Sequence, residues 1–429
     1  MTVNTLTASS IDQNASRSWF ARQCRELLKR KLMTIQDGRL DVTDPWGEWS
    51  AGEPGPLDAT LRVRDGGFYV DAVSEGSLGV ADAWIGGRWD TDDLTMLLRL
   101  MVRNMSAVDQ LEGGMATIAN GLASVRHWFN RNSKTGSTRN IHAHYDLGND
   151  LFEQFLDNSM TYSSAVYAED EFSLDQAQFE KLDRICRKLR LSPADHVLEI
   201  GTGWGSFAMH AARHYGARVT TTTISREQFE LAEGRVRKAG LQDRIDILLS
   251  DYRDLNGHYD KLVSIEMIEA VGHAYLPEYF ATCARRLKPD GAMLLQAITM
   301  PDQRYSRYLK SADFIQTTVF PGSCCPALTA ILGAVRDHTD FRVGHLEDIG
   351  PHYARTLREW RERFEERSAQ VSELGYDAAF QRMWRYYLAY CEAGFEERYT
   401  GTVQLLLDKP GRRVTPVLGR FEHPASATD

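Results

Sequence analysis

"HVLEIGTGWGSFAMHAARHYG", His196–Gly216, decides the fold. It opens on an apolar run of strand length and closes on "SFAMHAARHYG", an alanine-rich stretch that reads as a helix. Between them stand Gly201, Gly203 and Gly205. Glycine directly after a strand lets the backbone turn tightly and approach a ligand with no side chain in the way. The spacing is G-x-G-x-G, which differs from the G-x-G-x-x-G of dinucleotide loops.

The same alternation continues outward. "ARVTTTTIS" reads as a strand and "REQFELAEGRVRKAG" as its helix. "RIDILLSDY" and "YDKLVSIEM" follow as strands, then the helical "YLPEYFATCARRLKPDG" and a fifth strand, "AMLLQAITM". Strands alternating with helices predict an α/β fold with a mostly parallel, doubly wound sheet. Ligands of such sheets bind beyond the carboxyl ends of the strands. One of those ends, in "YDKLVSIEMIEAVGH", carries Glu266 and Glu269. A buried carboxylate without a partner is costly, so the pair is either a cap or a site, and its position favours a site.

Ahead of this region the pattern differs. "RSWFARQCRELLKRKL" predicts a basic helix with Phe20, Cys24, Leu27 and Leu28 on one side, after a loose polar start of about 16 residues. Short strands with glycine turns and a further helix follow through Asn104. Residues 1–125 therefore read as a small α+β domain, 126–140 as a basic linker, 141–408 as the α/β domain and 409–429 as a flexible tail. Leu122–His144 holds Arg126, Arg131, Lys134 and Arg139 with no acidic residue, which fits a solvated linker or a surface facing anionic headgroups. His142 and His144 have no third ligand near them in sequence, so no metal is expected.

A chain of 429 residues with 43% hydrophobic content suits two domains with real cores. Its formal charge of −9 argues against nucleic acid as a main partner. The N-terminus lacks a basic start before an apolar core, so no signal peptide is expected, and no apolar run reaches membrane-spanning length. Six cysteines without a C-x-x-C pair fit a reduced, cytoplasmic setting, with Cys324 and Cys325 as small apolar residues.

Eight motifs in order carry a closer resemblance: "HYDLGNDLFEQFLD", "MTYSSAVY", "VLEIGTGWGSFA", "TTISREQFELA", "SDYRDL", "SIEMIEAVG", "FIQTTVFPG" and "PHYARTLREWRERF". They span residues 140–408, and "GSLGVADAWIGGRWD" extends the likeness toward the N-terminus. Together they resemble the cyclopropane-fatty-acyl-phospholipid synthases and the mycolic acid cyclopropane synthases. These are class I S-adenosylmethionine (SAM) methyltransferases with a Rossmann-like fold. The resemblance implies SAM contacts at Tyr162 and Ser163 and along Leu198, Glu199, Ile200, Gly201, Thr202, Gly203, Trp204, Gly205 and Ser206. It implies further contacts at Thr223, Ile224, Ser225 and Gln228, with Gln228 on the ribose in place of the acidic residue this strand end lacks. Tyr252 and Arg253 would lie beside the adenine.

The implied reaction is methylene transfer from SAM to a cis double bond of an unsaturated phospholipid acyl chain. A carbocation forms, and a bound bicarbonate removes the proton that closes the cyclopropane ring. Aromatic faces stabilise such a cation, and Tyr162, Tyr145, Phe152 and Tyr353 are candidates. By resemblance Glu269 and Tyr353 hold the bicarbonate and Ile298 adds a backbone contact, while Glu266 has no counterpart and is expected to cap a helix near Ala270. Ser164 stands where the family commonly has cysteine, Gln296 where it has histidine, and Ala270 where a histidine often follows the glutamate. Serine and glutamine both keep a donor for an anion but do not titrate near neutrality. Methyl transfer is thus retained while the product stays open between a cyclopropane and a methylene- or methyl-branched chain. Cys391 matches a cysteine long treated as catalytic, although methyl transfer to an alkene needs no thiolate and packing explains it as well. The resemblance also implies a homodimer peripheral to the inner face of the membrane. A non-enzymatic lipid-binding protein on the same fold is the third reading.

Overall fold

The structure, a computed structural model, describes residues 7–105 and 147–417, with side chains from residue 18 onward. The first helix, α1 (Thr7–Leu32), begins ten residues before the predicted basic helix, so the expected loose start is helical from Thr7. It buries Cys24, Leu28 and Leu32 and leaves Trp19, Phe20 and Leu27 exposed. Four short strands follow: β1 (Arg39–Asp44), β2 (Gly47–Gly52), β3 (Ala59–Val63) and β4 (Trp89–Asp90). They form a sheet in the order β2-β1-β3-β4. Strict alternation in β1 puts Leu40, Val42 and Asp44 on the inner face. Asp44 is tolerated there because Arg25, Tyr69 and the Trp49 indole all donate to it. Helices α2 (Gly67–Glu75), α3 (Ser77–Ile85) and α4 (Leu94–Arg103) complete this unit.

The second sheet has seven strands: β5 (His196–Ile200), β6 (Arg218–Thr223), β7 (Ile245–Leu249), β8 (Tyr259–Ile265), β9 (Leu287–Thr299), β10 (Arg342–Asp348) and β11 (Gly401–Asp408). Their order is β10-β11-β9-β8-β5-β6-β7. The five strands expected from sequence pair in parallel. At the β9 edge the added β11 pairs antiparallel with β9, and β10 pairs antiparallel with β11. Helices α5 (Leu174–Leu189), α6 (Ser206–Tyr215), α7 (Arg226–Lys238), α8 (Leu276–Arg286) and α9 (Gly350–Glu366) flank the sheet, and α10 (Ala378–Glu396) packs on α9. The chain leaves β5 toward β6 on one side and later returns to β8 on the other, so the sheet reverses direction between β5 and β8. That reversal opens a crevice at the carboxyl ends of these two strands. The glycine loop follows β5 and the two glutamates follow β8, so both face it.

The two units pack closely through α10. Trp84 Nε1 donates to the Arg382 carbonyl at 2.9 Å, and Arg382 Nε donates back to the Trp84 carbonyl at 2.6 Å. The guanidinium lies 3.9 Å over the Trp84 ring. Glu397, just past α10, pairs with Arg99 and Arg103 of α4. Residues 409–417, expected to be loose, are held at their start: Lys409 and Gly411 donate backbone N–H groups to Gly291 and Pro289, and Arg190 donates to the Thr415 carbonyl. The basic linker with its four cations, His142, His144 and Tyr145 lie outside the described residues. Among the described residues no helix is long and apolar enough to cross a membrane.

Candidate active site

One cavity of about 940 Å³ joins the crevice to the N-terminal unit. At one end it is lined by the glycine loop, in the middle by Glu266, Glu269, Ile298 and Tyr353, and at the far end by Leu28, Leu61, Phe68, Leu97 and Met101. The far end is apolar because it is walled by the inner faces of α1, the first sheet and α4.

The glycine loop is shaped for close approach. Gly201, Gly203 and Gly205 have φ of +100°, +52° and +85°, a region that L side chains seldom adopt. A Cβ on Gly203 would meet no protein atom within 4 Å, so that face is open to a ligand. Across from it, Gln228 Oε1 accepts from Thr223 Oγ1 and the amide nitrogen is left for the cavity it lines. The start of α7 is fixed by Ser225, whose hydroxyl accepts from the Gln228 N–H. Glu199, at the end of β5, is fully buried with one oxygen unpartnered, and burial pushes its pKa up to about 8. Tyr252 packs edge-on against Tyr279, and Arg253 is held by both oxygens of Asp251. A strand-end glycine cradle, a free amide and an unpartnered oxygen fit a polar, nucleoside-sized cofactor such as SAM. Of the residues expected to contact it, Leu198, Gly205 and Ser225 do not line the cavity and instead support those that do.

The segment that carries Tyr162, Ser163 and Ser164 is fastened from beneath by α5. Gln178 Nε2 donates to the carbonyls of Thr161 and Ser163, and Lys181 Nζ donates to Ser163 Oγ at 2.8 Å. Lys181 is wholly buried, and desolvation lowers its pKa to about 8 against the pull of Glu266, Asp157 and Glu199. Tyr162 hydrogen-bonds Tyr387 hydroxyl to hydroxyl at 2.8 Å and packs against Trp360. Tyr162, Phe320, Tyr353 and Tyr387 form the aromatic wall of the middle section. Phe152, a candidate for that wall, is fully buried behind Tyr162 and Trp204 instead.

The two glutamates behave differently from expectation. Glu266 caps nothing: the short turn Ile268–Ala270 has no side-chain cap. Its carboxylate instead gathers three donors. The Ser164 N–H and Gln296 Nε2 meet Oε1 at 2.9 and 2.8 Å, and the Tyr353 hydroxyl meets Oε2 at 2.7 Å. Glu266 is also the one residue of this group with positive φ, +47°. Glu269 accepts from the Ile298 N–H, its other oxygen is unpartnered, and burial first, then the Glu266 charge, pushes its pKa up to about 8. Tyr353 thus pairs with Glu266 and not with Glu269, and every donor expected to hold bicarbonate is already turned to a protein oxygen.

Ser164 and Gln296 do not reach the cavity. The Ser164 hydroxyl donates to the Ala165 carbonyl, so only its backbone N–H serves the site. Gln296 sits on β9 opposite Gln404 of β11 and takes part in a buried relay. Lys188 Nζ donates to Gln404 Oε1, Gln404 Nε2 donates to Gln296 Oε1, and Gln296 Nε2 donates to Glu266. An ammonium can only donate, so the direction of each amide is set from Lys188. Cys391 lines the cavity, but burial drives its thiol pKa far upward and keeps it neutral, as a packing residue would be.

Sequence reasoning gave Glu266 a capping role in the end and did not single out Lys181, which lines the cavity, or Gln404, which stands behind it. Lys181 had a signal: it interrupts the apolar stripe Leu174, Ala177, Leu182 and Ile185.

Residues 132–405 match the family model described as mycolic acid cyclopropane synthetase. The tuberculostearic acid methyltransferase UfaA1 of Mycobacterium tuberculosis is 40% identical over 344 residues, covering 78% of this chain and 80% of the relative. The cyclopropane-fatty-acyl-phospholipid synthase of Escherichia coli K12 is 37% identical over 344 residues, covering 80% and 86%. The crystal structure of the mycolic acid cyclopropane synthase CmaA1 with SAH and CTAB superposes with a TM-score of 0.60 at 31% identity, over 63% of this chain and 98% of that one. With the fold, the glycine cradle and the order of the motifs in agreement, the chain belongs to the mycolic acid cyclopropane synthetase family.

Proposed function

We propose that this enzyme uses SAM to convert a cis double bond of an unsaturated phospholipid acyl chain into a cyclopropane ring. The observation that carries this reading is the single cavity that runs from the glycine cradle, past the two glutamates, into an apolar section of N-terminal side chains. Bound in the cradle, SAM supplies an electrophilic sulfonium methyl. The glycine backbone and Gln228 would hold its polar body, with Tyr252 and Arg253 beside the base. An alkene is a weak nucleophile, so its π bond must be kept in line with that methyl in a dry slot. The apolar section supplies the slot, and the faces of Tyr162 and Tyr353 stabilise positive charge as it develops on the acyl chain.

In this reading the protein docks on the inner face of the membrane from the cytoplasm. The exposed Trp19 and Phe20, among the basic residues of α1, support docking on anionic lipid. A homodimer would present two such faces to one bilayer.

A second reading, the same transfer ending in a methylene- or methyl-branched chain, is favoured by Ser164 and Gln296, neither of which places a titratable group at the site. The 40% identity to a tuberculostearic acid methyltransferase adds to it. Both are tested by incubating purified protein with SAM and vesicles of cis-unsaturated phospholipid, then analysing the fatty acids by mass spectrometry and NMR. Cyclopropane ring protons are the expected result. An exocyclic methylene selects the second reading, and no mass gain with SAM bound overturns both.

A further inference from the structure

The geometry points to Glu266 as the base that takes the proton lost after methyl transfer, in place of a bound bicarbonate. This rests on the reading that the enzyme alkylates an alkene. Three donors converge on the Glu266 carboxylate, the Ser164 N–H, Gln296 Nε2 and the Tyr353 hydroxyl, and the last two are groups expected to receive a small anion. The protein has built the anion into its own chain.

Two of these donors admit no reversal. The Ser164 N–H is backbone, and the Gln296 amide is oriented by Gln404 and ultimately by Lys188. Both meet Oε1, which therefore presents lone pairs to them and carries no proton. Oε2 accepts only from Tyr353 and keeps a lone pair for the cavity that Glu266 lines. Glu269 is unsuited to the task. Burial raises the pKa of both carboxyls, but Glu269 has only its own and the Ile298 backbone N–H against the three donors of Glu266, and its second oxygen is buried without a partner. Glu266, directly after β8, holds a positive φ of +47°. Residues held in such sparsely populated conformations cluster at functional sites.

The step balances without further reagents. The alkene π pair forms the new C–C bond as the methyl C–S bond breaks, leaving a cation on the acyl chain. Glu266 Oε2 takes a proton from the added carbon, and the released C–H pair closes the ring. If a 1,2-hydride shift first moves the charge onto the carbon that bears the added methyl, loss of a methyl proton gives the methylene branch, so the same base serves either product. The carboxylic acid then returns its proton to water when the product leaves.

The test compares wild type, Glu266→Gln and Glu266→Gly in carbon-dioxide-free buffer with and without added bicarbonate, using SAM and cis-unsaturated vesicles. Wild type is expected to turn over at the same rate in both buffers. Glu266→Gln is expected to lose about 10²-fold or more in kcat, within the range of a lost general base. SAM binding measured by calorimetry should stay unchanged, which shows that this variant is folded. Glycine suits the positive φ and leaves the three donors facing a void, so bicarbonate or formate should restore Glu266→Gly by about tenfold or more. Wild-type activity that requires bicarbonate, or a Glu266→Gln enzyme at full speed, overturns the proposal. A wild type that binds SAM and alkylates nothing overturns the alkylation reading itself.

Discussion

Tyr353 and Glu266 lie 87 positions apart in the chain, yet the tyrosine hydroxyl donates to Glu266 Oε2 across 2.7 Å. The bond crosses from α9 to the end of β8 and is braced by Phe395, whose ring stacks on Tyr353 at 4.5 Å. It makes Tyr353 a positioning residue for the carboxylate. Tyr353→Phe keeps the stacking and removes only the hydroxyl. A hydrogen bond to a charged group contributes about 1.5–3 kcal/mol, so kcat should fall roughly 10- to 100-fold. Steady-state kinetics with SAM titration checks this, since the KM for SAM should hold while kcat drops.

Gln404 never touches the cavity, yet it sets the direction of Gln296. Gln404→Leu leaves Gln296 Oε1 buried without a donor and the Lys188 ammonium without its amide acceptor, although Glu347 still pairs with Lys188. An unsatisfied buried polar group costs about 1–3 kcal/mol. Urea unfolding should register that loss, and kcat should fall because the Gln296 amide is free to turn its carbonyl toward Glu266.

Glu269 predicts the sign of a pH effect. Its folded pKa of about 8 lies above the ordinary value of 4.5, so the folded state holds the proton more tightly. The stability tied to this group is complete below pH 4.5 and is lost as pH rises to about 8. Glu199 titrates in the same window, whereas the depressed Lys181 acts between about 8 and 10.5. Comparing wild type with Glu269→Gln by urea unfolding at several pH values isolates the one carboxyl. The variant should gain relative stability steadily up to about pH 8 and then run parallel to wild type.

Trp19 and Phe20 stand out from α1 with relative exposures of 63% and 44%. Replacing both with serine should weaken binding to anionic vesicles by about tenfold or more, on the usual scale for burying aromatic surface. Sedimentation with vesicles measures the partition. Raising the salt should weaken wild-type binding too, because charges on opposing surfaces are screened.

Much of the catalytic fold was legible because parallel strands in α/β proteins read as short apolar runs punctuated by glycine loops. β10 escaped because it is an edge strand whose side chains are largely exposed, so "RVGHLED" lacks an apolar signature. The cofactor end of the site was legible for the same local reason, since loop and strand end are contiguous in sequence. The reactive end was not. Glu266 and Glu269 sit three residues apart in one motif, and only the fold shows which of them faces Tyr353. Which way Gln296 points depends on Lys188 and Gln404, more than a hundred residues away on either side. Such register-dependent pairings leave no periodic trace.

The cavity's walls come from both units of the chain, and this has a mechanical consequence. Among the described residues, Leu28, Leu61 and Leu97 on one side and Leu357, Tyr386 and Phe395 on the other line the cavity that an acyl chain would enter. The substrate then acts as mortar, adding its own apolar surface between the two units. Loading with lipid should therefore tie the melting of the two units together, which scanning calorimetry would register as a sharper and later transition. The enzyme would be most rigid at the moment it is committed to chemistry and loosest when it must exchange one lipid for the next.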